Sequence, residues 1–116
     1  MNARKFLKSF RYAVEGILTA TMEQNLRFHI LSAVIVVLAG LLTGLSTTEW
    51  FMITIVIALV IGAELFNSAI ERVVDLASPE IHPLAKQAKD IAAGAVLVFA
   101  VASVIIGLLI FLPKWF

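Results

Sequence analysis

The chain of 116 residues is 61% hydrophobic and only 15% charged, and it contains no cysteine. Soluble domains are close to half apolar and a quarter charged, and so short a chain has too much surface to bury this excess of apolar side chains. The composition therefore excludes an ordinary soluble globule, a disordered segment and a nucleic-acid-binding protein. The lack of cysteine also excludes disulfides and thiolate chemistry. We expect one small domain in a membrane.

The N-terminal segment, residues 3–25, has the pattern of an amphipathic helix. Apolar side chains recur at helical spacing and charged side chains occupy another face. The apolar set is Phe6, Phe10, Val14 and Ile17. We expect this helix to lie on the cytoplasmic surface of the membrane. It serves there either as a plain anchor or with its basic face beside a site for anionic groups.

Three stretches without charge follow, at residues 30–48, 50–63 and 91–113. A spanning helix needs about 20 residues. The second stretch has 14, which rise only about 21 Å, so it is either re-entrant or continues through Glu64 to about Glu71. Because residues 65–71 contain no Gly or Pro, we expect continuation. The resulting all-α membrane protein has spans at about 29–45, 49–74 and 87–112.

Two connections join the predicted spans. In the first turn, Gly44 is a candidate C-cap and Ser46–Thr48 supply candidate N-caps. The second connection is expected to run from Asp75 to Lys89, with Pro79 and Pro83 ending the preceding helix.

The basic residues predict the orientation of the chain. Eight of the nine Lys and Arg side chains precede the first span or lie around the second connection, and only Lys114 lies at the other side. By the positive-inside rule, the N-terminus is cytoplasmic and the C-terminus is outside the plasma membrane.

The second span carries polar side chains on one face. Glu64, Asn67, Glu71 and Asp75 fall within a stripe about 60° wide at helical periodicity. Carboxylates and amides are costly beside lipid, so this stripe should face a protein interior or a water-filled cleft. It is either a functional site or a packed polar seam that fixes the register of the helix.

Two more polar clusters flank the spans. In the first, Glu23 is either half of an i,i+4 ion pair with Arg27 or a magnesium ligand shared with Glu71. His29 is expected to be an interfacial or hydrogen-bonded residue. In the second cluster, Lys89 either contacts phosphate or anchors the helix at the membrane surface.

The runs ELFNSAIERVVD at residues 64–75 and AKD at residues 88–90 resemble the prokaryotic diacylglycerol kinase family. The resemblance covers essentially the whole chain and extends to Glu23, Arg27 and residues 80–82. The run EQNLRFH at residues 23–29 and the Ala-Gly-Ala run after Asp90 are similar to the Gram-positive branch. Members of that branch resemble undecaprenol kinases.

The resemblance implies a homotrimeric helical bundle that transfers the γ-phosphate of Mg-ATP to a lipid hydroxyl, at sites shared between subunits. Glu64 would be the catalytic base, Asn67 would position groups beside it, and Glu23 and Glu71 would hold Mg²⁺. The residues implied for the nucleotide are Lys5, Tyr12, Glu23, Glu71, Glu80, His82, Lys89 and Asp90. Those implied for the lipid are Lys8, Glu64 and Ala93.

Two alternatives to a polyprenol kinase stay open. The nearer one is a diacylglycerol kinase with the same site, which would make phosphatidic acid. The more distant one is a small ion-coupled transporter or channel subunit that uses Glu64 as a proton or cation site.

Overall fold

The computed structural model describes residues 2–116, and within that range the regular secondary structure consists of four helices. Their bounds are Ala3–Ala20 for α1, Gln24–Thr43 for α2, Thr47–Ala77 for α3 and Pro83–Trp115 for α4. The prediction of an all-helical chain is therefore confirmed.

Three of these helices, α2, α3 and α4, are long and apolar enough to cross a membrane. Helix α3 has 31 residues, a rise of about 46 Å at 1.5 Å per residue. It passes without a break through Glu64, Asn67 and Glu71. The predicted continuation of the short apolar stretch is confirmed, and the re-entrant alternative is wrong.

The turn between α2 and α3 has the caps that the sequence predicts. Gly44 has a φ of +83°, which glycine adopts without strain, and its N–H donates to the Gly40 carbonyl at 2.9 Å. Ser46 and Glu49 form a capping box, in which each side-chain oxygen accepts from the other residue's backbone N–H. These bonds satisfy backbone groups that a helix end leaves unpaired.

The connection between α3 and α4 is shorter than predicted, because only residues 78–82 lie outside the two helices. Asp75 belongs to the last turns of α3, and Lys89 belongs to α4. The reason lies at His82, whose Nδ1 accepts from the Leu84 N–H at 3.1 Å and caps α4. Pro83 therefore begins the following helix, where its missing N–H costs nothing, rather than ending α3.

Helix α1 also ends earlier than predicted, at Ala20 and not at residue 25. The Glu23 N–H donates to the Ala20 carbonyl at 3.0 Å and closes a turn, after which α2 starts at Gln24. The segment from Glu23 to His29 therefore forms the start of α2 instead of preceding it. Ala20 is the one buried residue of α1, which packs lightly against α3.

The core lies between α2, α3 and α4 near the end opposite the polar stripe. Ile53 of α3 packs with Ile110 and Phe111 of α4. Trp50 of α3 and the α2 residues Val36 and Ala39 pack against this cluster. At the same end, Lys114 Nζ lies 3.1 Å from Glu49 Oε1, and the Trp115 indole N–H donates to Thr43 Oγ1 at 2.9 Å. Many large apolar side chains of the three helices point outward, as a hydrocarbon solvent allows.

Candidate active site

The polar stripe of α3 points into the bundle over part of its length. Glu64 is 3% exposed, Asn67 is 4% exposed and the neighbouring Ser68 is 2% exposed. Glu71 is half-buried and Asp75 is exposed. The stripe therefore leads from a buried carboxylate to a solvated end of the helix.

Geometry along α3 gives the depth of these groups. A hydrocarbon slab of about 30 Å takes up about 20 helical residues. If the slab begins at Trp50, it ends near Ile70. Glu71 then lies at the membrane boundary, and Glu64, seven residues earlier, lies about 10.5 Å inside it. The stripe therefore extends from about 10.5 Å inside the slab to its boundary.

A cavity of about 220 Å³ adjoins the Glu64 carboxylate, between α2, α3 and α4. Asn25 and His29 line it from α2, Glu64 and Asn67 from α3, and Ala93 from α4. His29 Nε2 lies 3.8 Å from Glu64 Oε2. The cavity thus combines an apolar wall on α4 with polar groups on the other two helices, as a site for one end of an amphiphile would.

Asn67 presents an unused acceptor in this region. Its Nδ2 donates to Glu71 Oε1 at 3.3 Å, while its Oδ1 is buried and has no hydrogen-bond partner among residues 2–116. A buried acceptor without a donor costs free energy. A hydroxyl placed in the cavity would supply the missing donor.

Glu23 occupies the N-cap position of α2, but its side chain makes no capping hydrogen bond. Its Oε1 instead accepts from Ser68 Oγ at 2.7 Å and from Arg72 Nη1 at 2.8 Å. The ion partner of Glu23 is therefore Arg72 of α3, and the alternative of a local pair with Arg27 is wrong. This contact attaches the start of α2 to α3 next to Glu71.

The carboxylates do not form a large metal cluster. In the part of the chain that the structure describes, no group of three or more His, Cys, Asp and Glu side chains is placed to hold one ion. The two carboxylates that the resemblance implies for Mg²⁺ are Glu23 and Glu71. Mg²⁺ suits such a donor set, because it commonly takes one or two carboxylates and completes its shell with water and substrate phosphates.

A second cleft, of about 320 Å³, lies at the junction of α3 and α4. The Lys89 ammonium forms an ion pair with Asp75 across the two helices, and Lys86 Nζ pairs with Asp90 Oδ2 at 2.5 Å along α4. The charged and titratable side chains that line the cleft are Asp75, Glu80, His82, Lys86, Lys89 and Asp90. The cleft thus brings together four residues that the resemblance assigns to the nucleotide: Glu80, His82, Lys89 and Asp90.

The site residues predicted on α1 are not part of either space. Lys5, Lys8 and Tyr12 are exposed and line neither the cavity at Glu64 nor the cleft. Conversely, the sequence-based prediction of the site does not include Ser68 and Arg72, which donate hydrogen bonds to Glu23. Their i,i+4 spacing on α3, beside Glu71, was the available signal.

This geometry defines a small multi-pass membrane protein with a buried carboxylate at a cavity in the bundle and a charged cleft at its end. Residues 11–111 match the family model described as Prokaryotic diacylglycerol kinase. The chain is 54% identical to the Undecaprenol kinase of Bacillus subtilis over 95% of this chain and 90% of that protein. It is 42% identical to the Diacylglycerol kinase of Synechocystis over 96% of this chain and 65% of that protein. It is 36% identical to the Diacylglycerol kinase of Helicobacter pylori over 82% of this chain and 75% of that protein.

The chain belongs to the prokaryotic diacylglycerol kinase family. It is an enzyme, a membrane-embedded lipid kinase. Within the family it falls in the Gram-positive, undecaprenol kinase-like branch. The sequence-based prediction of family and branch is confirmed. Because the chain belongs to this kinase family, the alternative of a transporter or channel subunit is wrong.

Proposed function

We propose that this enzyme transfers the γ-phosphate of Mg-ATP to the hydroxyl of undecaprenol, giving undecaprenyl phosphate. The observation that carries the proposal is the 54% identity, over 95% of the chain, to a protein named Undecaprenol kinase. Diacylglycerol is the second candidate acceptor, since the relative from Synechocystis is named Diacylglycerol kinase and shares 42% identity. The same catalytic groups would serve either lipid.

In the proposed reaction, the acceptor hydroxyl enters the cavity between α2, α3 and α4, beside Glu64. Its O–H bond breaks and the proton passes to the Glu64 carboxylate. The oxygen bonds to the γ-phosphorus, and the bond from that phosphorus to the bridging oxygen breaks, leaving ADP. Asn67 lines the same cavity as Glu64 and would position the arriving group beside the base. Such chemistry depends mainly on alignment and charge neutralisation.

Glu23 and Glu71 are the residues we propose for Mg²⁺. Ser68 and Arg72 hold the Glu23 carboxylate against α3. Arg72 directly follows Glu71 in the chain. The ion would neutralise phosphate charge when bound. A fit to two carboxylates is supported by the preference of Mg²⁺ for few protein ligands.

The nucleotide is proposed to occupy the cleft between α3 and α4. Lys89, which pairs with Asp75, would turn to a phosphate oxygen. Asp90, Glu80 and His82 line the same space and would contact the ribose and adenine.

The proposed assembly is a homotrimer with a cytoplasmic N-terminus. Basic residues concentrate at the end of the bundle that holds the cleft, and α1 would lie on that membrane surface. Because Lys5, Lys8 and Tyr12 line neither space of their own chain, they would contact ATP or lipid at a neighbour's site. Light scattering of the purified active enzyme is expected to give the mass of three chains, and full activity as a monomer would contradict this.

A lipid panel tests the acceptor. The purified protein in nanodiscs receives Mg-ATP with undecaprenol or with dioleoylglycerol, and the phosphorylated lipids are measured. We expect a higher kcat/KM for undecaprenol. Equal or faster turnover of dioleoylglycerol would contradict the polyprenol assignment, and phosphorylation of neither lipid would contradict the kinase.

A further inference from the structure

His29 of α2 faces the buried carboxylate of Glu64. The His29 Nε2 and Glu64 Oε2 atoms are 3.8 Å apart, and the two side chains are 17% and 4% exposed. The other charged groups around Glu64 are both acidic: Glu23 from the start of α2 and Glu71 from α3. The wall of the cavity on α4 is apolar at Ala93 and its neighbours.

A buried carboxylate needs a donor or a positive partner, because an unpaired charge in an apolar surrounding is strongly unfavourable. Two cationic side chains at this end of the bundle already have partners, since Arg72 pairs with Glu23 and Lys89 pairs with Asp75. Within residues 2–116, His29 is the basic side chain whose ring nitrogen lies within 4 Å of the Glu64 carboxylate.

We propose that His29 is a positioning residue for the base. Its Nε2–H is directed at Glu64 Oε2, which fixes the plane of the carboxylate and leaves the other oxygen for the acceptor hydroxyl. The separation of 3.8 Å exceeds a hydrogen bond, and contacts of this kind shorten when substrate binds. This inference rests on the proposed function, which makes Glu64 the base.

Ser32, three residues further along α2, supplies a matched control. Its Oγ donates to the Phe28 carbonyl of its own helix at 2.9 Å, and it does not line the cavity at Glu64. Ser32→Ala therefore changes a polar side chain on the same helix without touching the base.

The test compares His29→Leu, His29→Gln, Ser32→Ala and Glu64→Gln as full-length proteins in nanodiscs with undecaprenol and Mg-ATP. For His29→Leu we expect a kcat about 10- to 100-fold lower, with an unchanged KM for ATP. His29→Gln should recover much of this loss, because the glutamine amide restores an N–H donor at similar reach. Ser32→Ala should match the wild type.

Several results would overturn the proposal. These are a wild-type kcat in His29→Leu, a loss in His29→Gln as large as in His29→Leu, or a fall in ATP affinity that accounts for the whole loss. If Glu64→Gln is inactive while His29→Leu is fully active, only the role of His29 fails. If Glu64→Gln keeps wild-type activity, the proposed base fails together with its partner. Monodisperse elution of each variant shows that the fold is retained.

Discussion

Replacing Gly40 with Ala should destabilise the bundle, because the added methyl group has no room. A Cβ at Gly40 would lie 2.7 Å from Cη2 and 3.2 Å from Cζ2 of Trp50, and 2.9 Å from Cδ1 of Leu45. The Leu45 methyl can rotate away, whereas the indole is a rigid ring against the core cluster of Ile53. Overpacking costs about 1–3 kcal/mol, and Ala regains about 1 kcal/mol of helix propensity over Gly. The expected net loss is up to about 2 kcal/mol.

Gly107 of α4 provides the control, because a Cβ there meets nothing within 4 Å. Gly107→Ala should keep or raise the thermal midpoint measured by circular dichroism in detergent, while Gly40→Ala lowers it. Adding Trp50→Phe, which removes the clashing atoms, should lower the stability of the Gly40→Ala protein less than it lowers that of the wild type. A Gly40→Ala protein as stable as Gly107→Ala would refute the close packing of α2 against Trp50.

Three further changes address the site and its surroundings. Ser68→Ala removes the hydroxyl that donates to Glu23, so the Mg²⁺ concentration for half-maximal activity should rise about tenfold; an unchanged magnesium titration would contradict this. Lys89→Gln should raise the KM for ATP and leave the KM for undecaprenol unchanged, and the reverse pattern would place Lys89 at the lipid. Lys114→Gln breaks the pair with Glu49 at the far end of the bundle, and steady-state assays should show an unchanged kcat.

The sequence predicts the helical elements well, because span length, capping residues and periodicity are local properties. Ser46 and Glu49 are three residues apart, and their capping box can be seen in the chain itself. The polar face of α3 likewise follows from helical spacing alone. The sequence predicts too long a connection after α3, because the side-chain cap of His82, and not the two prolines, decides where α4 begins.

Contacts between helices could not be predicted in the same way. The Glu23 and Arg72 side chains meet although 49 positions separate them, while Arg27 offered a partner at helical spacing. His29 and Glu64 come together only because α2 and α3 run antiparallel beside each other. Such pairs depend on the register of one helix against another, which no local pattern in the chain encodes.

The most direct test of the account is phosphoryl transfer by the wild type and by Glu64→Gln, in the same nanodiscs, with undecaprenol and ATP labelled at the γ-phosphate. We expect the wild type to place the label on the lipid. Glu64→Gln should reduce the rate at least about 100-fold, because it removes a positioned general base. The KM for ATP should be unchanged. Undecaprenyl phosphate formed at the wild-type rate by Glu64→Gln, or no labelled lipid from the wild type, would contradict the account.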